Sequence, residues 1–449
     1  MGRNSHRRAL SVWSNGQRVG TWRLPTRADV ELQYDPQWVQ SLAGRPLSLS
    51  LPFTIGNAPL KGARVLNFFD NLLPDSEPIR NRLAGKFKTG STEAFALLQA
   101  IGRDCVGAIQ LLPEDEQPIG YDAIAGTPLS DAEVEVHLKR AVAPGAGLGQ
   151  PDADEDDFRI SLAGAHEKTA LLWHHNQWMR PRGTTPTTHI FKLPLGKVGR
   201  DGRIDMSTSV ENEWLCSRIL QAYGLPVAQS QIRDFGEQRV LVVERIDRRL
   251  HSSGTWWMRL PQEDFCQVLG VAPYKKYESE GGPGVVDICK VLQQSTNASS
   301  DLQTFMSAMV LFWMLAATDG HAKNFSLQIL QKGRYRMTPL YDVLSMWPVE
   351  GGAAHQMSMH KAKLAMAISG KNRHYHLKEI LRRHFNAMAS RCGIGTDMEP
   401  MIQGIINHTP AAIAQVTAQL PAGFPSSIAE PILGQLQESA KRLAEMPAK

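Results

Sequence analysis

LAATDGHAKNFSLQIL, residues 315–330, runs from an oily segment into strand-like residues through a polar connector, Asp319-Gly320-His321-Ala322-Lys323-Asn324. Upstream, apolar residues recur at Leu302, Phe305, Met306, Met309, Val310, Trp313, Ala316 and Ala317, the spacing of one helix face. Leu311, Phe312, Met314 and Leu315 make the other faces apolar as well, which predicts a helix buried on most sides. A helix of that kind is a rigid platform for the polar groups at its end. Six such residues alone read most simply as a solvated turn, so the neighbourhood has to decide. Residues 325–330 read as a strand, 331–333 as a turn and 334–337 as a returning strand, which carries Asp342 back beside Asn324. An Asp and an Asn five apart, joined by a returning Asp, suit phosphoryl transfer. One carboxylate takes the proton of an acceptor hydroxyl, while the amide and the second carboxylate offer oxygen to Mg2+. In protein kinases that second Asp usually stands in a DFG sequence; here its neighbours are Tyr341 and Val343. Asp234-Phe235-Gly236 matches in letters only, because it precedes the loop and separates two strand patterns; it reads as a hairpin turn.

Phosphates also need backbone donors and a cation. SLAGAHEK, residues 161–168, lies between two strand patterns and can turn its N–H groups toward phosphate, although its single glycine suits a plain hairpin as well. Lys192 sits in the short strand THIFKLP. Glu213 follows on a helix expected to open with a capping box of Thr208 and Glu211, and to stop at Gly224-Leu225-Pro226. A carboxylate on a partly apolar face wants a cation, and Lys192 is the candidate; a solvated carboxylate is the other reading. In kinases a strand lysine and a helix glutamate pair in this order. Val243-Glu244-Arg245-Ile246 ends the last strand before the helical part, where a hinge can offer backbone groups to adenine.

At 449 residues the chain exceeds one ordinary core. Residues 1–115 read as a β-rich subdomain with a hairpin at Asn15-Gly16, and 116–157 as a linker ending in an acidic run. Residues 158–260 hold the phosphate loop, Lys192, Glu213 and the hinge, and 261–449 form a mostly helical lobe. A hydrophobic share of 42% and a charged share of 21% exclude a disordered or fibrous chain. A net charge of +5 permits an acidic or nucleic-acid partner without arguing for one. Five scattered cysteines without CxxC spacing suit a reducing compartment and offer no zinc site. No apolar stretch follows the basic amino terminus, and the apolar run 305–317 is too short for a bilayer, so a cytoplasmic protein without a membrane partner is expected.

Together with SLAGAHEKTALL, TPTTHIFKLP, SVENEW, VERIDRR, RLPQEDFCQ, KYESEGGPG, ATDGHAKNFS, MTPLYD and FFDNLLPD, these features make the chain resemble the HipA toxins, serine/threonine kinases of HipBA toxin–antitoxin systems, over nearly its whole length. The resemblance implies an α+β, two-lobed protein-kinase-like fold with an extra β-rich amino-terminal subdomain and a mostly helical carboxy-terminal lobe. It makes Asp319 the catalytic base and gives Mg2+ to Asn324 and Asp342. ATP phosphates fall to Lys192 and to the loop of Ala163, Gly164, Ala165, His166, Glu167 and Lys168; adenine falls to Glu244, Arg245 and Ile246. His321, Ala322, Lys323 and Tyr341 stand beside the nucleotide. Ser161 matches the family's autophosphorylated serine, whose modification displaces the loop and silences the kinase. His166 departs from the family, where close relatives carry Gln. The family phosphorylates a glutamate–tRNA ligase, which halts translation and promotes dormancy. It also binds a small helix-turn-helix antitoxin and, through it, operator DNA; Arg383, in the basic stretch 369–385, falls near the DNA-contacting region. Two other functions fit the same core: a phosphotransferase acting on a small molecule, and a chiefly non-catalytic co-repressor scaffold.

Overall fold

The computed structural model describes residues 8–25, 29–142, 161–164, 167–198, 204–351 and 356–449. The amino-terminal subdomain is built on a five-stranded antiparallel sheet in the order Leu60–Lys61, Glu31–Tyr34, Gln17–Leu24, Arg8–Ser14, Gln110–Pro113. Its first hairpin turns at Asn15 and Gly16, both left-handed (φ +48° and +78°), as a two-residue turn matched to strand twist requires. Helices Ala63–Asp70 and Ala94–Ile101 share a core with this sheet, where Trp22 stacks on Phe69 at 4.0 Å between ring centroids.

A second sheet holds six antiparallel strands in the order Ser230–Phe235, Gln238–Glu244, His189–Lys192, Lys168–His174, Gln177–Pro181, Gly126–Leu129. Phe235 pairs with Gln238 across a turn at Gly236 (φ +57°), so Asp234-Phe235-Gly236 is a hairpin end, as expected. Helix Ser209–Ala222 packs on this sheet.

Two local expectations change. Part of the stretch read as linker, 116–157, is ordered: Gly126–Leu129 is the outer strand of the six-stranded sheet, and Asp131–Val142 is a helix packed against it. That helix opens with a reciprocal cap. Glu133 N donates to Ser130 Oγ (3.3 Å) and Ser130 N to Glu133 Oε2 (2.8 Å), while Val134 and Leu138 are buried. Conversely, Thr208 makes no side-chain cap, and Glu211, its expected partner, holds Arg239 at 2.5 Å instead.

From residue 262 the chain is mostly helical, around the buried helix Ala298–Met314. Helices Glu399–Ala418 and Ser426–Glu445 pack on it. A small sheet of Gln262–Asp264, Ser326–Ile329 and Tyr335–Met337 frames the connector after the helix. The basic stretch 369–385 divides between the hairpin of Lys363–Ser369 with Arg373–His376 and the start of helix Arg382–Met388. All five cysteines are unpaired and buried. Among the described residues, no helix is long and apolar enough to cross a membrane.

The amino-terminal subdomain is stitched to the rest by buried polar contacts. Ser48 and Ser50 donate to Gln267 O (3.1 and 2.6 Å), and Leu49 N donates to Glu263 Oε1 (3.0 Å). Beneath the hinge, Asp104 of the subdomain meets Arg245 (3.3 Å), Arg248 (2.8 Å) and Arg259 (3.3 Å), with Asp247 at 2.8 Å from Arg245. Burial alone would raise the Asp104 carboxyl, yet the three guanidiniums hold it well below the usual range.

Candidate functional site

A cleft between the six-stranded sheet and the helical lobe has apolar walls of Ile190, Ala228, Val243 and Ile246, and a polar end of Lys168, Lys192, Asp319, Asn324 and Asp342. Lys192 closes strand His189–Lys192, and its Nζ donates to Glu213 Oε1 (2.6 Å) and Asp342 Oδ1 (2.7 Å). Burial works against its charge, but Asp342 and Glu213 outweigh it and hold Lys192 above its ordinary value. Lys168 is the direct cross-strand partner of Lys192. Burial pushes it down to about 8, with Asp342 resisting and the like charge of Lys192 adding to the drop.

The connector after the buried helix is held from within. Asn324 Nδ2 donates to Asp319 O (2.8 Å) and Asp342 O (3.4 Å), joining the two segments and leaving Oδ1 to other partners. Asp342 sits in left-handed backbone (φ +62°), which Asp tolerates better than most residues. Asp319 is exposed at the cleft mouth, and Tyr277 Oη donates to its Oδ1 at 2.6 Å. His321 is buried, its imidazole pushed down to about 4 by that burial, and its Nδ1 has no hydrogen-bond partner among the described residues. Tyr341 Oη donates to Lys323 O (3.1 Å) and shares a 2.5 Å bond with Ser326 Oγ.

Segment 71–75 of the amino-terminal subdomain touches both loops. On one side, Asp75 N donates to Gly164 O (3.1 Å), and Ser161 Oγ donates to Leu72 O (2.7 Å). Gly164 has φ +105°, a conformation that favours glycine. On the other side, Lys323 Nζ reaches Asn71 Oδ1 (2.9 Å) and Asp75 Oδ1 (3.0 Å), and Lys276 Nζ reaches Asp75 Oδ2 (3.0 Å). Burial would raise the Asp75 carboxyl, but Lys323 and Lys276 bring it down to about 2.

Of the residues singled out in the sequence, Ala163, Gly164, Lys168, Lys192, Glu244, Arg245, Ile246, Asp319, His321, Lys323, Asn324, Tyr341 and Asp342 all line this one cleft. Glu213 is buried beside Lys192, and Ala322 is buried within the loop. Arg245 holds Asp104 and Asp247 with its guanidinium, and its main chain bonds to Thr188 O (2.9 Å) and Arg248 N (3.2 Å), so it shapes the hinge. Glu167 is paired with Arg82. Ser161 is fully buried against Leu72 and Asp104. Ala165 and His166 lie outside the described residues. Arg383 is exposed and lines a separate pocket with Lys371 and His374. Sequence reasoning gave no role to Asn71, Asp75, Lys276 or Tyr277. The available signal was a lysine–tyrosine pair before Gly-Gly-Pro-Gly, and polar residues set within the apolar FFDNLLPD.

A strand-rich lobe with one buried lysine–glutamate pair, a cleft, and a helical lobe carrying Asp319, Asn324 and Asp342 make this an α+β, two-lobed protein-kinase-like fold with an added amino-terminal subdomain. The chain belongs to the HipA family: residues 160–414 match the HipA-like C-terminal domain and residues 10–112 the HipA N-terminal domain. It is 33% identical over 414 residues to Y4mE of Sinorhizobium fredii, named as a candidate kinase, across 91% of this chain and 92% of that one. A serine/threonine-protein kinase toxin HipA of Shewanella oneidensis is 26% identical over 418 residues, 90% of this chain and 88% of the relative. The solved Shewanella oneidensis HipA, in complex with HipB and operator DNA, has the same fold: TM-score 0.77 at 23% identity, over 97% of each chain.

Proposed function

We propose that this chain is an ATP-dependent serine/threonine protein kinase of the toxin type. The observation that carries the reading is Lys192, bonded at once to Glu213 and Asp342, in the cleft that also presents Asp319 and Asn324. The residues present fit the nucleotide. Ile190, Ala228, Val243 and Ile246 suit a flat base, the hinge main chain at Ile246 can pair with its edge, and Lys168 and Lys192 suit its phosphates. His321 Nδ1, buried without a partner among the described residues, is a further polar atom in the same cleft. Mg2+ would be held by Asn324 Oδ1 and the Asp342 carboxylate. Among the described residues, no group of three or more His, Cys, Asp or Glu could bind a metal unaided, so ATP oxygens would complete the shell. When bound, the ion neutralises charge on the transferring phosphoryl group.

In this reading Asp319 accepts the proton of the acceptor hydroxyl as that oxygen bonds to the γ-phosphorus and the bond to ADP breaks. Lys192, kept charged and oriented by Glu213, steadies the phosphates. Family membership supports a glutamate–tRNA ligase as acceptor, with translation arrest and dormancy as the result, and the cytoplasm as the place of work. It also supports Ser161 as a second acceptor on the chain itself. Because Ser161 is buried against Leu72, its phosphorylation requires the loop to leave the amino-terminal subdomain first. The solved relative is bound to HipB and operator DNA, which supports a helix-turn-helix antitoxin and operator DNA as partners here, with Arg383 on an exposed basic face. The test is labelled ATP with soluble cell extract. Asp319→Asn should lower transfer to protein by ~10²–10⁴-fold while ATP binding persists. Transfer at the wild-type rate would reject the base assignment, and label found only in small metabolites would move the reading to a small-molecule phosphotransferase.

A further inference from the structure

Asp319 stands exposed at the cleft mouth, where a carboxylate is free to rotate, yet one of its oxygens is fixed. Oδ1 accepts a 2.6 Å hydrogen bond from Tyr277 Oη, and among the described residues no other side chain bonds to that carboxylate. Tyr277 is in turn held from several directions. Its ring meets His321 edge-on, with centroids 5.2 Å apart at 80°, and its carbonyl accepts from Glu280 N and Gly282 N, both at 3.0 Å. Lys276, next in the chain, is anchored to Asp75, and its carbonyl accepts from Ala322 N (3.4 Å) inside the connector that carries Asp319. Gly282 explains part of the Gly-Gly-Pro-Gly run. A Cβ there would meet Lys275 O at 1.9 Å and Tyr277 O at 2.8 Å, so only glycine lets the chain close around the tyrosine.

We infer that Tyr277 is a positioning residue for Asp319, its hydroxyl tying down Oδ1 so that Oδ2 is presented to the acceptor hydroxyl. The inference rests on Asp319 being the base. Fixing one oxygen removes the rotational freedom that an exposed carboxylate would otherwise lose only when the acceptor arrives. Burial, then the adjacent Asp319 charge, keep the phenol above its ordinary range, so it remains a donor through the neutral region.

Tyr277→Phe keeps the ring against His321 and removes only the hydroxyl. With label transfer from ATP to a fixed amount of soluble cell protein as the assay, apparent kcat should fall roughly 10- to 100-fold, the usual cost of a misplaced reacting group, with KM for ATP unchanged. In an Asp319→Asn background the same substitution should cost nothing further, since the two residues act as one unit. Independently of turnover, fluorotyrosine placed at position 277 should give a fluorine resonance that moves when Asp319→Asn is introduced into the nucleotide-free chain. An unchanged kcat for Tyr277→Phe, an equal loss in both backgrounds, or an unmoved resonance would each overturn the inference. Wild-type activity in Asp319→Asn alone would instead overturn the base assignment beneath it.

Discussion

Lys168 and Lys192 face each other across a strand pair, but their surroundings treat them differently. Lys192 donates to two carboxylates and stays charged, whereas burial brings Lys168 from 10.5 to about 8. Below pH 8 a protonated Lys168 attracts phosphate; above it the neutral amine does not. ATP affinity should therefore weaken as pH rises through about 8. Because phosphate favours the charged form, binding near that pH should take up a proton. Calorimetric titration in buffers of different ionisation heat measures both, and Lys168→Met should flatten the profile. The chemistry-bearing residues here were legible because their signals are local or ordered along the chain. Asp319 and Asn324 share one connector, a hairpin returns Asp342, and Lys192 precedes Glu213 in the order a nucleotide cleft needs. Tyr277 was not legible, since its partner lies 42 positions away and only the folded loop brings the two together.

At the scale of elements, segment 71–75 is a brace that bonds to two loops. The Asp75 amide holds Gly164, and its carboxylate holds Lys276 and Lys323. Asp75→Asn keeps the amide and removes the charge, taking from Lys276 its carboxylate partner and leaving Lys323 with Asp264 at 3.7 Å. Amide hydrogen exchange should then rise about tenfold, equivalent to ~1.4 kcal/mol of lost local stability, in the 319–325 connector and in the 161–164 loop together. A rise in one loop alone would show that the brace is not shared. Helices and hairpins with clear periodicity are legible in the sequence, including the turn at Asn15-Gly16. Caps were less so. Ser130 with Glu133 makes the reciprocal cap, while the similar Thr208 and Glu211 do not, because a carboxylate near a helix start also answers to any arginine that the fold brings within reach.

For the whole molecule, the junction beneath the hinge sets three buried guanidiniums against two carboxylates, Asp104 and Asp247. Asp104→Ala should cost about 3–5 kcal/mol, the usual price of leaving buried charges without their partner. Urea unfolding should show the loss directly, with the amino-terminal subdomain parting from the hinge at lower denaturant than the rest. A midpoint close to wild type would mean that solvent already reaches the cluster. The division into a β-rich subdomain, a strand-rich lobe and a helical lobe could be read from pattern alone. How they join could not, because that depends on charges such as Asp104 and Arg248, 144 positions apart. The same separation bears on how the protein is made. Asn71 and Lys323 are 252 positions apart, and at about 5–20 residues per second a ribosome needs roughly 10–50 s to pass from one to the other. During that interval the brace has been synthesised while the lysine it receives has not. The contacts that tie this segment to the connector can therefore form only after Lys323 has been made.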